Sequence, residues 1–122
     1  QFRITRDSLV RYAGASGDFN PIHYRADFAQ KVGLPGVLAH GMLTMGLAVQ
    51  VVVDFVGGSG NILDYQVRFT KPVLVDAKDG ATVTVSAKVA EIAEDGKSAR
   101  IDLTAVAAEL TVLGKAQVRV KI

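Results

Sequence analysis

The feature that most constrains the fold is an apolar run from Gly41 to Val56, which reads GMLTMGLAVQVVVDFV. Its only polar side chains are those of Thr44, Gln50 and Asp54. Apolar residues therefore occupy every face of a 3.6-residue helix, a pattern typical of helices that are buried in a protein or that span a membrane. Because a membrane span needs about 20 apolar residues, the run is too short to cross a bilayer.

The same run is too long for a typical strand, although many of its residues are β-branched, and its length favours a helix. The glycine-rich segment 57–60 follows directly and predicts a left-handed cap at the helix end. We therefore expect one long, buried central helix, and the rest of the chain must supply the layer that covers it.

The second half of the chain changes from a period of 3.6 to a period of 2. Apolar residues alternate over 63–69, 81–89 and 99–105 and again towards the end of the chain, which predicts antiparallel strands. Asp95-Gly96 predicts a hairpin turn, a phase slip at Glu91-Ile92 predicts a bulge, and Gly114 fits either a turn or a bulge. The fold class is therefore α+β, with one antiparallel sheet packed on the central helix.

The segment before the central helix is helical and rich in loops. Thr5 predicts the N-cap of a first helix that ends at Gly14 and Gly17, and a second, short helix is expected over 26–32. Residues 16–21 between them are polar and turn-rich, which predicts a loop.

Composition narrows the function classes. The chain has 122 residues, of which 49% are hydrophobic, and we therefore expect one domain over 1–122 with a sizeable core. We also expect that a short N-terminal segment is missing before Gln1. The net charge is only +2, and the lysines and arginines are scattered along the chain, which predicts no nucleic-acid partner. The absence of cysteine excludes disulfides, thiolate catalysis and cysteine metal sites. With no secretory or membrane segment visible, we expect a cytoplasmic protein.

Asp18 and His23 are the first candidates for chemistry. They flank Asn20-Pro21, which prevents them from sharing a helix face, but a turn can bring both side chains to one point. A carboxylate beside an imidazole is a pair suited to proton transfer. The alternative is that Asp18 and Asn20 only make side-chain turns to the backbone, with His23 packed behind them.

His40 and Gly41 lie where the central helix is expected to begin. Backbone N–H groups at a helix N-terminus lack internal partners and carry partial positive charge. Since Gly41 has no side chain, a ligand oxygen could approach closely, and a thioester carbonyl would be polarised there as in an oxyanion hole. The alternative is that Gly41 serves tight packing and His40 is a core histidine.

A metal site is a third interpretation, because Asp18, His23 and His40 supply two histidines and one carboxylate. Neither possible pair has the short helical spacing that metal ligands usually show. We therefore predict no metal.

Two segments resemble the signature of a known family. They are residues 12–23, which read YAGASGDFNPIH, and residues 39–42, which read AHGM. This pattern is similar to that of the MaoC-like dehydratases, which include the (R)-specific enoyl-CoA hydratases, and the similarity continues through residues 68–73, RFTKPV. Within the family, the chain is more similar than the average member to catalytic subunits of (3R)-hydroxyacyl-carrier-protein dehydratases.

The resemblance implies a hot-dog fold, in which a curved antiparallel sheet wraps around one long buried helix. It implies reversible hydration of trans-2-enoyl thioesters to (R)-3-hydroxyacyl thioesters. In that reaction Asp18 and His23 would hold and activate water and exchange the α-proton. The Gly41 N–H would bind the thioester carbonyl, and Asn20, Ser16 and His40 would support the site.

The resemblance also implies that no cofactor is needed, since the substrate is carried on coenzyme A or an acyl carrier protein. It implies a homodimer, or a heterodimer with a second hot-dog subunit. Some family members carry a hydroxyl residue in the central helix, about where Val49 stands here, and this chain lacks that extra polar group.

Two other functions remain open. A hot-dog thioesterase would direct water at the carbonyl, but such enzymes typically lack the Asp-x-Asn-Pro-x-His run that is present here. A structural subunit of a heterodimeric dehydratase would be no enzyme by itself, but its motif should be degraded, and this one is whole.

Overall fold

The computed structural model describes residues 1–122 and contains four α-helices and five strands. In chain order these are β1 Phe2–Ile4, α1 Arg6–Ser16, α2 Ala26–Lys31, α3 Gly41–Ala48, α4 Gln50–Val56, β2 Ile62–Phe69, β3 Ala81–Ile92, β4 Ser98–Ala107 and β5 Leu110–Lys121. Single turns of 3₁₀-helix lie at Pro21–His23 and Ser59–Asn61. No helix is of a length and hydropathy that would let it cross a membrane.

The five strands form one antiparallel sheet in the order β1-β3-β4-β5-β2. The alternation of the sequence decides which side of it is buried: Ala99, Ile101, Leu103 and Ala105 of β4 are all almost fully buried. Ala48 and Val52 of the helical segment belong to the same hydrophobic cluster. The predicted α+β fold, a sheet packed on a central helix, is thus confirmed.

The central helix has the predicted outer bounds but is interrupted at Val49, which separates α3 from α4. The Val49 N–H reaches the Met45 carbonyl only at 3.4 Å. The hydroxyl of Tyr65 on β2 donates to that same carbonyl at 2.7 Å. We attribute the interruption to this competition, because the stronger bond draws the carbonyl away from the helical ladder.

The prediction that this helix is buried on every face is wrong for the single chain. Met42 is 59% exposed, Val51 43% and Phe55 72%. The sheet covers one side of the helix, where Ala48 and Val52 are buried, and leaves the opposite side open.

The caps follow the predictions made from local sequence. The Thr5 side chain accepts from the Ser8 N–H at the start of α1. Gly17 ends α1 and Gly57 ends α4, both with the left-handed backbone that glycine adopts without a steric penalty. Gly14 lies inside α1 and does not end it, which corrects that part of the prediction.

The strand irregularities were predicted in part. The pairing of β3 with β4 shifts between Val89 and Glu91, directly before the predicted position of the bulge. Gly114 lies inside the continuous strand β5, where a Cβ atom would stand 2.7 Å from the Thr70 methyl group, so the bulge interpretation is the right one. The β4–β5 turn uses Ala108 and Glu109, both with positive φ.

Candidate active site

The loop between α1 and the first 3₁₀ turn is built from consecutive side-chain turns. The Asp18 N–H donates to Ser16 Oγ at 3.1 Å, and the Asn20 N–H donates to Asp18 Oδ1 at 3.2 Å. Asn20 Oδ1 then accepts from the Ile22 N–H at 3.2 Å and caps the turn that carries His23. The side-chain turns of the alternative interpretation are therefore present, but they use only one carboxylate oxygen of Asp18.

The second carboxylate oxygen of Asp18 faces His23. Oδ2 lies 4.0 Å from His23 Nε2, which is too long for a direct hydrogen bond. One water molecule can bond to both atoms at about 2.8 Å each. The Asp18 side chain is 51% exposed, whereas the His23 side chain is 10% exposed, so the carboxylate meets the solvent and the imidazole stands behind it.

The tautomer of His23 follows from its partner. His23 Nδ1 lies 2.7 Å from the Leu38 carbonyl, which can only accept, so Nδ1 carries the hydrogen. In the neutral ring, Nε2 then presents a lone pair towards Asp18. This is the form in which an imidazole can take a proton from a water molecule.

His40 is packed directly against this pair. Its ring stacks on that of His23 with 3.9 Å between centroids, and Tyr12 meets it edge-on at 4.7 Å. His40 Nε2 lies 3.2 Å from the Asp18 carbonyl and must donate to it. His40 is 1% exposed, and its Nδ1 has no hydrogen-bond partner. Burial, above all, lowers the pKa of His40, so the ring is held neutral.

Gly41 is the first residue of α3, and the His40 carbonyl accepts from the N–H groups of Leu43 and Thr44. The N–H groups before Leu43 lie at the positive end of the helix dipole. A Cβ atom at Gly41 would stand 2.9 Å from the Phe69 ring. Both interpretations of this glycine therefore remain, since its lack of a side chain permits the Phe69 contact and also a close approach to the backbone.

A cleft of about 430 Å³ joins these groups. Its walls include Asp18, Gly41, Met42, Thr44, Phe69 and Lys71, and half of its lining residues are hydrophobic. The carboxylate and the helix N-terminus thus face one cleft, and its apolar side chains could hold an aliphatic group.

Of the six residues named from the sequence, Asp18 and Gly41 line the cleft, and the other four, which are Ser16, Asn20, His23 and His40, contact Asp18. The structure adds two groups that sequence reasoning missed. The Leu38 carbonyl fixes the His23 tautomer, and no sequence signal reports such a long-range backbone contact. Thr44 is 2% exposed and its hydroxyl makes only a 3.5 Å contact with the His40 carbonyl. Its position one turn after Gly41, as one of three polar residues in the apolar run, could have identified it.

One group in the chain has possible metal-ligating atoms that all lie within 4.8 Å of one another, and it consists of Asp18, His23 and His40. A ring nitrogen binds zinc in the plane of its ring at about 2.0–2.1 Å. The two imidazoles are stacked only 21° from parallel, so their lone pairs do not converge on one point. The geometry fits a metal ion poorly.

The fold is a curved antiparallel sheet around a helix, and a carboxylate–imidazole pair lies near the helix N-terminus. These two features define a class of hot-dog proteins whose site contains a pair suited to proton transfer. A model of the MaoC-like domain matches residues 1–112, and the chain belongs to this family.

Individual relatives agree with this assignment. The chain is 42% identical over 81 residues to 3-hydroxyacyl-thioester dehydratase X of Mycobacterium tuberculosis, and the aligned segment covers 66% of this chain and 28% of that protein. It is 35% identical over 89 residues to the (R)-specific enoyl-CoA hydratase of Rhodospirillum rubrum, and this aligned segment covers 72% of this chain and 62% of that protein.

A solved structure of a MaoC-like dehydratase superposes with a TM-score of 0.96 at 36% identity, over 99% of this chain and 37% of that one. The hot-dog fold is thereby confirmed. The chain nevertheless spans less than two thirds of the length of each of these three proteins.

Proposed function

We propose that this domain is a hydro-lyase that reversibly hydrates trans-2-enoyl thioesters to (R)-3-hydroxyacyl thioesters. The observation that carries the proposal is the cleft in which the Asp18 carboxylate and the Gly41 helix N-terminus face the same volume, with His23 directly behind Asp18. The names of the two relatives, a 3-hydroxyacyl-thioester dehydratase and an (R)-specific enoyl-CoA hydratase, support the same reaction.

The geometry suggests how the reaction proceeds. A water molecule bonded to Asp18 Oδ2 and His23 Nε2 is oriented by both and loses a proton to the pair as its oxygen bonds to C3 of the enoyl group. The proton returns to C2, so both residues end the cycle unchanged. Negative charge that develops on the thioester oxygen is stabilised by the N–H of Gly41 at the helix N-terminus. Ser16 and Asn20 hold the loop that carries Asp18 and His23.

The direct test is hydration of crotonyl-CoA by the purified chain, followed by loss of enoyl absorbance and chiral analysis of the product. We expect the (R)-3-hydroxyacyl thioester to form with the thioester bond intact. Release of free thiol, measured in the same sample, would identify a thioesterase instead. A stable, folded chain that changes neither signal would contradict the proposal.

The proposal includes no metal and no cofactor. The stacked imidazoles fit a metal ion poorly, and the Asp18–His23 pair suffices for proton transfer. We expect full activity after exhaustive chelation. Activity that is lost on chelation and regained with one added metal would contradict this part.

Partners and location complete the proposal. The substrate would be carried on coenzyme A or an acyl carrier protein, and the domain would act in a homodimer or beside a second hot-dog domain. We keep the cytoplasmic location expected from the sequence, which fractionation of cells would test.

A further inference from the structure

The His40 side chain contacts both residues of the proposed catalytic pair. Its ring face lies on His23 at 3.9 Å, and its Nε2–H bonds to the Asp18 carbonyl at 3.2 Å. At 1% exposed, it is shielded from any substrate in the cleft. Any part that it takes in the reaction must therefore act through its neighbours.

The hydrogen bonding of His40 is unusual for a residue that only fills space. Donation from Nε2 leaves a lone pair on Nδ1, which is buried and has no partner. Buried polar atoms without partners are uncommon, and each calls for an explanation. A phenyl ring would keep the stacked packing without this unsatisfied atom, but it would lose the bond to Asp18.

The groups around the ring explain why it can serve as a fixed donor. The titratable side chains that pack against it are those of Tyr12 and His23, and the Asp18 carboxylate is close enough to act on it through its charge. A neutral ring with one hydrogen has a single way to satisfy the Asp18 carbonyl, so its orientation is determined. A second proton on Nδ1 would have no acceptor.

We propose that His40 is a positioning residue for the hydration reaction, an inference that rests on the proposed function. It ties the Asp18 main chain to the flank of His23, and so it maintains the separation of 4.0 Å between Oδ2 and Nε2, a distance that one water molecule can bridge. Loss of either contact lets the two groups move apart, and small misplacements of reacting groups can cost roughly 100-fold in rate.

Two substitutions separate the two contacts. His40→Phe keeps an aromatic ring between Tyr12 and His23 but removes the donor and the unpaired lone pair. His40→Gln places an amide N–H near the position of Nε2 but removes the ring. We expect His40→Phe to fold with a melting temperature equal to or above that of the wild type and to lose roughly 10- to 100-fold in kcat, with KM nearly unchanged. His40→Gln should recover part of that loss in kcat despite a lower melting temperature.

The control is Val83→Ala, a fully buried core position on β3 outside the site. It should lower the melting temperature while kcat stays at the wild-type level. This control shows how a loss of stability alone affects kcat. If kcat follows the melting temperature across all four proteins, or if His40→Phe keeps wild-type kcat, the positioning role is wrong. A wild-type protein that hydrates nothing would refute the proposed function instead, and the two failures are thereby distinguished.

A spectroscopic measurement tests the arrangement without activity. The chain has only two histidines, so ¹⁵N NMR of the imidazole nitrogens resolves both rings. At pH 7 we expect hydrogen on Nε2 of His40 and on Nδ1 of His23. Hydrogen on Nδ1 of His40 instead of Nε2 would mean that the bond to Asp18 is absent and would overturn the proposal. This test uses the wild-type protein, so it holds even if the His40→Phe variant fails to fold.

Discussion

At the scale of single residues, His40 makes the stability of the fold depend on pH. Burial lowers its pKa in the folded state below the ordinary value of 6.5. Well above pH 6.5 the ring is neutral in both the folded and the unfolded state, and its burial then adds no pH dependence to the stability. As the pH falls below 6.5, the unfolded chain binds a proton that the folded chain resists, so stability decreases, by at most about 1.4 kcal/mol per pH unit for one proton.

Urea unfolding at a series of pH values from 8 to 5 checks this expectation. The free energy of unfolding should fall between pH 6.5 and 5 in the wild type and should fall less in His40→Phe. The lowered pKa values of Asp27 and Asp76 act in the same direction but only below their ordinary value of 3.8, outside this range. Equal slopes for both proteins would show that His40 does not resist protonation.

The site could be predicted at this scale only where its residues are close in the chain. The turn that brings Asp18 towards His23 is encoded locally by Asn20 and Pro21, and the structure has both turn bonds. The bond from His40 to the Asp18 carbonyl joins residues 22 apart. No local pattern encodes it, because it depends on how the central helix docks beside the loop.

At the scale of elements, the start of α3 has two possible roles that one pair of substitutions separates. Gly41→Ala would bring a Cβ within 2.9 Å of the Phe69 ring and would also obstruct the backbone N–H. Phe69→Leu in the same chain relieves the contact. If substrate oxygen approaches the N–H, the double variant should stay well below Phe69→Leu alone, towards the roughly 100-fold loss typical of a missing oxyanion donor.

Rates of crotonyl-CoA hydration for the two single variants and the double variant decide the question. Equal rates for Phe69→Leu and the double variant would mean that Gly41 serves packing alone. Melting temperatures measured alongside show whether the contact has been relieved.

Element types and strand faces were predictable because the apolar periods of 3.6 and 2 are strong and local. The interruption at Val49 was not, since it arises from the Tyr65 hydroxyl on a strand that comes later in the chain. The β4–β5 turn was also missed, because Ala108 and Glu109 adopt positive φ without the glycine or asparagine that normally signals such a turn.

At the scale of the whole molecule, the single chain leaves a surface that a partner should cover. Strand β3 is paired along one side by β1 only at residues 81–83, so residues 84–92 form an open edge. An apolar groove of about 210 Å³ lined by Val51, Phe55 and Val89 lies beside that edge. Long, exposed apolar edges favour pairing with another chain.

We therefore expect light scattering to give twice the chain mass of 12.9 kDa. Val89→Lys, which places a charge at the open edge, should shift the protein towards the monomer. Leu110→Lys is the matched control, because Leu110 is similarly exposed but lies at the β4–β5 turn, and it should leave the mass unchanged. An active wild-type monomer would contradict the expectation.

The central claim is that Asp18 and His23 act together on one water molecule. The most direct test measures the rate of crotonyl-CoA hydration by three variants, which are Asp18→Asn, His23→Ala and the double variant. Each single change should lower kcat by about 100- to 10,000-fold, and the double variant should be little slower than the slower single variant, because residues that act as a unit are not additive. The folded variants should keep the wild-type circular dichroism spectrum, since both residues lie outside the central helix. Folded variants that hydrate crotonyl-CoA at nearly the wild-type rate would contradict the claim.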